Sequence, residues 1–176
     1  MKHLLRSFRE KLAAGPVYGP FAKTCDPAAV ETLGHAGFDF IILDMEHGPN
    51  SVETVQNLVR AAELSGLLPV VRVPPGDLHT IERVLDIRAA GVQVPQISTA
   101  EEARGAVHAA RFSPAGERGV CRFVRAAQYS SMPKEQYFSE ANEALVIVQL
   151  EGQEALDNLT DILEVDGIDI VFVGPY

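Results

Sequence analysis

Short apolar runs alternate with amphipathic helical segments along the chain. The runs are Val17–Ala22, Phe38–Leu43, Leu68–Val73, Gly91–Val94, Leu145–Leu150 and Ile168–Val173. The last two are rich in Val, Ile and Leu and alternate little, which is typical of strands buried on both faces of a parallel sheet. The pattern predicts an α/β protein, either a doubly wound open sheet or a (β/α)8 barrel. No GxGxxG follows the first run, which disfavours a dinucleotide-binding sheet.

Helix start and stop patterns fall between these runs. Asp26-Pro27 predicts an N-cap followed by proline at the first helical position. Asn50 lies three residues before Glu53, which is capping-box spacing with a variant cap residue. Thr99 and Glu102 have the same spacing. Glycines that separate a helix from the next strand are expected to end the helices, and they are Gly37, Gly66, Gly91 and Gly167.

One interval, Arg111–Met132, breaks the regular repeat, and long connections of this kind are often functional. A short helix near Lys134–Asn142 is expected to follow it. A (β/α)8 barrel needs about 250 residues. We therefore expect residues 1–176 to be one domain that forms about three-quarters of such a barrel. Strands seven and eight and the C-terminal helices are expected to be absent from it. Six strands alone would leave open sheet edges. Either the natural chain continues, or a partner covers the edges.

Composition narrows the class of partner. The net charge is −9, and the one short basic cluster is Arg118, Arg122 and Arg125, so we expect no nucleic-acid partner. No stretch approaches the roughly 20 apolar residues of a membrane helix, and the amino-terminal segment has the pattern of an amphipathic helix rather than a signal peptide. The two cysteines, Cys25 and Cys121, form neither a CxxC motif nor a disulfide framework, which predicts a reducing, cytoplasmic compartment.

Polar residues collect where the second and third strands end, the edge at which barrel enzymes carry their chemistry. Asp44 and Glu46 are two apart and so share a face, and His47 follows them. Buried charge is costly unless it is paired or metal-bound, so these groups need a role beyond capping the next helix, which is the alternative. Arg72 on the third strand suits an oxyanion or carboxylate. Its alternative is a structural ion pair with Asp44 or Glu46.

The fifth and sixth strands end in a similar way. Gln149 and Glu151 share a face, and Glu151 suits a hard divalent cation, although an acid favoured by a helix N-terminus is the alternative. The Gly174-Pro175 pair presents backbone amides that suit a carboxylate or phosphate. No lysine lies on any apolar run, which disfavours a Schiff-base mechanism.

At these positions the chain resembles the HpcH/HpaI aldolase family, in the family's order and spacing from about Gly15 to Tyr176. The resemblance is carried by GFDFIILDMEHGPN, LPVVRVP, AAGVQVPQISTAEEARGAVHAARFSPAGERGV, VIVQLEGQEAL and GIDIVFVGPY. It implies a (β/α)8 TIM barrel, here ending after its sixth strand, usually in a homo-oligomer (a hexamer). It also implies a Mg²⁺, Mn²⁺ or Co²⁺ ion and cleavage of a 4-hydroxy-2-oxo acid or 2-keto-3-deoxy sugar acid to pyruvate and an aldehyde.

The resemblance also implies residue roles. His47 matches the catalytic base, Asp86 an acid that raises the basicity of that histidine, and Arg72 the arginine that stabilises the enolate oxygen. Strand geometry instead nominates Asp44 as the partner of His47, and Asp44 and Glu46 are second choices.

The remaining family positions lie towards the end of the chain. Gln149 matches a substrate-contacting glutamine and Glu151 a metal ligand, and the backbone amide of Tyr176 is expected to help hold the pyruvate carboxylate. The family's second metal ligand falls one position after Tyr176. Arg88 stands where relatives usually carry glycine, which permits a left-handed backbone, so Arg88 is strained if that shape is needed.

Two alternatives remain at this stage. The first is a lyase of the citramalyl- or malyl-CoA type, which would need a basic patch for the nucleotide, and only Arg118–Arg125 offers one. The second is a catalytically incomplete barrel fragment with an assembly or ligand-binding role.

Overall fold

Six parallel strands form one sheet in the spatial order β1 to β6, which is the order of consecutive barrel strands. A computed structural model describes residues 1–175, and its sheet curls as a half-barrel. The strands are β1 Phe21–Ala22, β2 Phe40–Asp44, β3 Leu68–Arg72, β4 Gly91–Ile97, β5 Leu145–Leu150 and β6 Ile170–Val173. This confirms the α/β class and the parallel sheet. Within residues 1–175, β1 and β6 each pair with one neighbouring strand, so the sheet has two open edges.

Helices connect the strands. They are α1 Lys2–Ala14, α2 Pro27–His35, α3 Val52–Leu64, α4 Leu78–Asp86, α5 Ala100–Ala110, α6 Lys134–Ala141, α7 Gly152–Asp157 and α8 Leu159–Leu163. A 3₁₀ helix, Arg125–Ser130, lies inside the long connection that breaks the repeat. In the part of the chain that the structure describes, no helix is both long and apolar enough to cross a bilayer.

The two faces of the sheet are buried by different elements. Outward-facing side chains such as Leu43, Val71 and Val148 pack with the apolar faces of the connecting helices in the larger core. Inward-facing side chains such as Ile42 and Ile147 form a second core, which α1 covers with Leu4, Leu5 and Phe8. Since side chains alternate along a strand, every second residue of β2 to β5 belongs to this inner face.

Two predicted helix starts are confirmed and one is wrong. Asp26 caps α2 by accepting the Ala28 N–H at 2.9 Å. Thr99 and Glu102 form the predicted capping box at α5. The cap of α3 is Ser51 rather than Asn50, because the Asn50 side chain turns inward and is buried.

Two of the four predicted glycine helix ends are confirmed, because Gly37 and Gly66 directly follow the C-caps of α2 and α3 with positive φ. The prediction for Gly167 is wrong, because α8 already ends at Leu163, although Gly167 has positive φ in the turn before β6. The prediction that Gly91 ends a helix is also wrong, because Gly91 is the first residue of β4. The left-handed position after α4 is taken by Arg88, with φ 78°. The strained conformation that the sequence raised for this arginine is therefore confirmed.

The long connection Arg111–Met132 packs against α6 in a separate small core, formed by Phe112, Ala127 and Met132 of the connection and Tyr137 of α6. Charged contacts fasten it as well. Arg118 donates to Asp86 at 2.7 Å, and Arg125 donates to Glu63 on α3. The short helix expected next is α6, so that prediction is confirmed.

Candidate active site

Four neighbouring strands carry a polar side chain on the inner face, near the ends of β2, β3 and β5 and within β4. They are Asp44, Arg72, Gln93 and Gln149, and all four are buried. The sheet register pairs Asp44 with Arg72 and Arg72 with Gln93, so three of the four are direct neighbours. Buried polar groups need partners, and each of these side chains bonds to another group of this edge.

Asp44 and Arg72 form a bidentate ion pair. The Arg72 Nε and Nη2 donate to the two carboxylate oxygens of Asp44 at 3.0 and 2.7 Å. Asp44 has no exposed surface. Burial alone would raise the pKa of Asp44, but the Arg72 guanidinium and the backbone N–H groups of His47 and Glu46 outweigh it, so the pKa is lowered. The structural ion pair offered as the alternative for Arg72 is confirmed.

Asp44 also shapes the loop that carries the next two polar residues. Its Oδ1 accepts the backbone N–H of Glu46 at 3.0 Å and of His47 at 3.2 Å. Its carbonyl oxygen accepts from the Asn50 amide at 3.3 Å. A side chain at Gly48 would collide with that same carbonyl oxygen, so the turn needs glycine. The alternative that Asp44 or Glu46 caps the next helix is wrong, because Ser51 caps α3. Asp44 instead accepts from this turn and from Arg72, and Glu46 pairs with Arg72.

Glu46 is the carboxylate that faces the His47 ring. The Glu46 Oε1 lies 3.8 Å from His47 Nε2 and accepts from Gln96 Nε2 at 3.3 Å. Its Oε2 lies 3.1 Å from Arg72 Nη1. The His47 side chain is 62% exposed, whereas that of Glu46 is 4% exposed. Glu46 therefore joins His47 to Arg72, while Asp44 reaches His47 through the backbone.

Arg72 keeps donors free for a ligand. A guanidinium has five N–H groups. Nε and one Nη2 hydrogen donate to Asp44, and Nη1 lies 3.1 Å from Glu46 Oε2 in an ion pair without hydrogen-bond geometry. With one Nη1 hydrogen assigned to that ion pair, five minus three, or two, have no partner among residues 1–175. The Phe21 ring stacks 4.6 Å from the guanidinium carbon and adds a cation–π contact. Burial would lower the pKa of Arg72, but Asp44, Glu46 and Glu151 together raise it, so the group stays charged.

Asp86 lies outside this group of inner-face polar residues. It is the last residue of α4, and α4 runs back from the site towards the strand-start edge of the sheet. Its carboxylate accepts from Arg118 at 2.7 Å, and burial raises its pKa in spite of that partner. Within one chain, residues 1–175 show no bond between Asp86 and His47. The role of Asp86 as the acid partner of His47 stays a prediction.

A second polar group lies across the site, at the ends of β5 and β6. Gln149 donates through Nε2 to Glu151 Oε1 and accepts from Gln93 Nε2. A Cβ at Gly174 would lie 3.0 Å from Glu151 Cγ and 3.3 Å from Gln149 Nε2, so the end of β6 packs on both. Pro175 follows Gly174, and Tyr176 lies outside the described residues.

Glu151 stands at the N-cap position of α7, as its alternative role required, but its side chain makes no capping bond. Its carboxylate instead faces Gln149. Among residues 1–175 no cluster of three or more His, Cys, Asp or Glu side chains could hold a metal ion. The oxygen donor of this group is the Glu151 carboxylate, because Gln149 turns its NH₂ group towards Glu151 and its oxygen towards Gln93. One carboxylate fits a hard cation of the Mg²⁺ type, which takes one or two carboxylates and completes its shell with water or substrate.

Sequence reasoning missed three residues of this site: Phe21, Gln93 and Gln96. Gln93 was detectable, because it is the one polar side chain inside the apolar run Gly91–Val94. Gln96 was not, because it reaches Glu46 from a left-handed backbone, with φ 57°, at an irregular register of β4. The contact of Phe21 with Arg72 depends on the three-dimensional fold alone.

Comparison with known proteins identifies the family. Residues 18–176 match a family model described as HpcH/HpaI aldolase/citrate lyase. A 4-hydroxy-2-oxo-heptane-1,7-dioate aldolase of Klebsiella pneumoniae subsp. pneumoniae is 43% identical over 172 residues, which is 96% of this chain and 64% of that protein. The same named enzyme of Salmonella heidelberg is 41% identical, and the chain covers 65% of its length. The chain thus spans about 64–65% of these curated relatives.

Two solved structures superpose closely. An HpcH/HpaI aldolase/citrate lyase family protein from Burkholderia cenocepacia J2315 has a TM-score of 0.90 and 35% identity, with 99% of this chain and 69% of that chain covered. The citrate synthase SbnG has a TM-score of 0.84 and 31% identity, with 95% and 64% covered. Proteins of this fold and similar identity to the chain therefore carry names that denote different reactions.

Proposed function

Since this chain belongs to the HpcH/HpaI aldolase/citrate lyase family, we propose that the protein cleaves a 4-hydroxy-2-oxo acid, or a 2-keto-3-deoxy sugar acid, to pyruvate and an aldehyde. The observation that carries the proposal is the inner-face polar edge, in which the Asp44–Arg72 pair at the ends of β2 and β3 and the Gln149–Glu151 pair at the end of β5 lie at the same edge of the sheet. A cationic donor and a carboxylate ligand on one edge suit an oxo acid whose keto oxygen gains charge during reaction.

The proposed architecture is a complete (β/α)8 barrel, of which residues 1–176 are about three-quarters, in a homo-oligomer such as a hexamer. The consecutive parallel order of the six strands supports it, because a barrel closes by adding neighbours at the first and last strand. The inner core also supports it, because α1 already covers the strand-start end of the inner face.

The proposed substrate binds with its carboxylate at the backbone N–H of Tyr176. The Gly174-Pro175 pair does not supply the amides expected of it, because Pro175 has no N–H and the Gly174 N–H donates to the Leu150 carbonyl oxygen at 3.0 Å. Its keto oxygen faces the two free N–H groups of Arg72 and the side chain of Gln149. A Mg²⁺, Mn²⁺ or Co²⁺ ion on Glu151 would supply Lewis-acid polarisation of the keto group. The pair with Asp44 holds the guanidinium in place, so its donors are aimed before the substrate arrives.

His47 is the proposed base. Its exposed Nε2 removes the proton from the C4 hydroxyl, the C3–C4 bond breaks, and its electron pair forms the enolate of pyruvate while the aldehyde leaves. Arg72 stabilises the enolate oxygen, and protonation at C3 gives pyruvate. The Glu46 Oε1 lies 3.8 Å from Nε2, so a carboxylate faces the nitrogen that takes the proton.

The test is pyruvate release from a panel of 4-hydroxy-2-oxo acids and 2-keto-3-deoxy sugar acids, with and without added Mg²⁺ or Mn²⁺. The wild type should release pyruvate, and His47→Ala should lower kcat by a factor on the order of 10²–10⁴. His79→Ala, on an exposed helical histidine, is the matched control. Folded protein that releases no pyruvate from any substrate would overturn the proposal, and unchanged turnover in His47→Ala would remove His47 from it.

A CoA-dependent lyase is disfavoured, because the arginines of the basic cluster Arg118–Arg125 already have partners within the protein. Arg118 bonds Asp86, Arg122 bonds the carbonyl of Met132, and Arg125 bonds Glu63. The cluster therefore fastens the long connection rather than offering free charge to a nucleotide. The incomplete-fragment alternative is decided by the same pyruvate assay.

A further inference from the structure

Gln93 is a fully buried amide with an unusual hydrogen-bond state. It lies on the inner face of β4, between Arg72 on β3 and Ile147 on β5 in the register of the sheet. Its exposed fraction is 0%. Its Nε2 donates to Gln149 Oε1, but its own Oε1 has no partner among the described residues. An acceptor left unpaired in a core is costly, so stability alone does not account for an amide here.

The orientation of this amide is fixed from the other end of a short chain of bonds. A carboxylate accepts and does not donate, so Glu151 requires the NH₂ group of Gln149 to face it. The oxygen of Gln149 must then face Gln93, which in turn requires the NH₂ group of Gln93 to face Gln149. The unpaired oxygen of Gln93 is the end of this sequence of constraints.

We propose that Gln93 is a positioning residue that sets the affinity for the oxo acid, by holding the Gln149 amide with its nitrogen towards Glu151 and the ligand. This inference rests on the function proposed above. Gln149 Nε2 carries two hydrogens, of which one serves Glu151. The second is available to an oxygen of the oxo acid beside Gly174. Glu151 fixes which end of the Gln149 amide faces it, and the bond from Gln93 restrains the tilt of that amide, so that the second hydrogen keeps its direction.

The first experiment compares Gln93→Met with the wild type. Methionine has a similar size and packs in apolar surroundings, and it removes both the donor and the unpaired acceptor. Because Gln149 contacts the oxo acid before and during reaction, KM should rise about 2- to 12-fold with kcat nearly unchanged. The dissociation constant of pyruvate, measured by calorimetry with Mg²⁺ present, should rise by the same factor. Gln136→Met, on an exposed helical glutamine, is the matched control.

A double-mutant cycle separates positioning from general packing. If Gln93 acts through Gln149, then Gln93→Met should weaken pyruvate binding less than about 1.5-fold in a Gln149→Met background, since contacting residues couple. Equal factors in the two backgrounds would overturn the inference. So would wild-type KM and pyruvate affinity in Gln93→Met.

Three further outcomes are informative. If Gln93→Met does not fold, Gln93→Asn keeps the amide but withdraws it from Gln149, and the same rise in KM and in the pyruvate dissociation constant is expected. If the wild type binds pyruvate but releases none from any substrate, the proposed function fails while the binding cycle still decides the role of Gln93. If the wild type does not bind pyruvate, both fail.

Discussion

At the scale of single residues, the Asp44–Arg72 pair holds the site together. A buried ion pair repays the loss of hydration only with good geometry and further hydrogen bonds. Here both carboxylate oxygens accept from Arg72, and Oδ1 also accepts from two backbone N–H groups of the following turn. The same carboxylate therefore orients the guanidinium and positions the loop that presents His47.

Asp44→Asn should lower the free energy of unfolding by about 2–4 kcal/mol at neutral pH, because Arg72 would keep its charge and lose its bidentate partner. Urea unfolding monitored by circular dichroism measures this. Asp26→Asn is the matched control, since asparagine caps a helix as well as aspartate does. A loss as small as that of the control would show that the pair contributes little.

The same variant should change the acid limb of the stability profile. The pKa of Asp44 is lowered in the folded protein, so its stabilising contribution is present above the unfolded value of about 3.9 and is lost as pH falls through the lower folded pKa. Asp44→Asn removes this contribution, and the difference from wild type should therefore shrink as the pH falls below about 4. A difference that stays constant with pH would contradict the assignment.

Some residues of the site could be predicted from the sequence, and others could not. Four of them interrupt or end apolar runs in the sequence: Asp44, Arg72, Gln149 and Glu151. Because these runs are predicted to be parallel strands, their polar ends are expected to lie at one edge. In the structure, contacts join Asp44 to Arg72 and Gln149 to Glu151. The contact of Glu46 with His47 was not predictable, because β2 ends at Asp44 and the following turn sets both directions.

At the scale of elements, β1 and β4 differ most from prediction. Of the predicted run Val17–Ala22, only Phe21–Ala22 is paired as a strand, because Pro20 has no N–H to donate to a ladder. The predicted fourth strand ends at Val94, but β4 continues to Ile97 across a shift in register. Pro95 lies inside that shift, which a pattern of apolar residues does not reveal.

The end of α4 offers a direct test of backbone strain. Arg88 has φ 78°, where other helix ends of this chain have glycine, and its side chain pairs with Glu63 at 3.5 Å. Both Arg88→Gly and Arg88→Ala remove that pair, but alanine keeps the strain and glycine relieves it. The glycine variant should be more stable than the alanine variant by about 1 kcal/mol in urea unfolding. Equal stabilities would mean that the left-handed backbone costs nothing here.

At the scale of the whole molecule, the sheet separates two apolar cores, and the candidate active site lies at the edge where its strands end. Helices cover the outer face, α1 covers the start of the inner face, and the polar groups lie where the strands end. The alternation of strands and helices predicted this plan. The route of the long connection Arg111–Met132 was not predictable, because ion pairs distant in sequence, such as Arg118 with Asp86, determine it.

The central claim is that this edge stabilises the enolate of pyruvate. The most direct measurement is exchange of the pyruvate methyl hydrogens in D₂O, followed by proton NMR with Mg²⁺ or Mn²⁺ present, because it needs no knowledge of the aldehyde half. The account predicts exchange catalysed by the wild type and strongly reduced in Arg72→Met, which loses the donors to the enolate oxygen. Folded wild-type protein that binds pyruvate without catalysing exchange, or undiminished exchange in Arg72→Met, would contradict it.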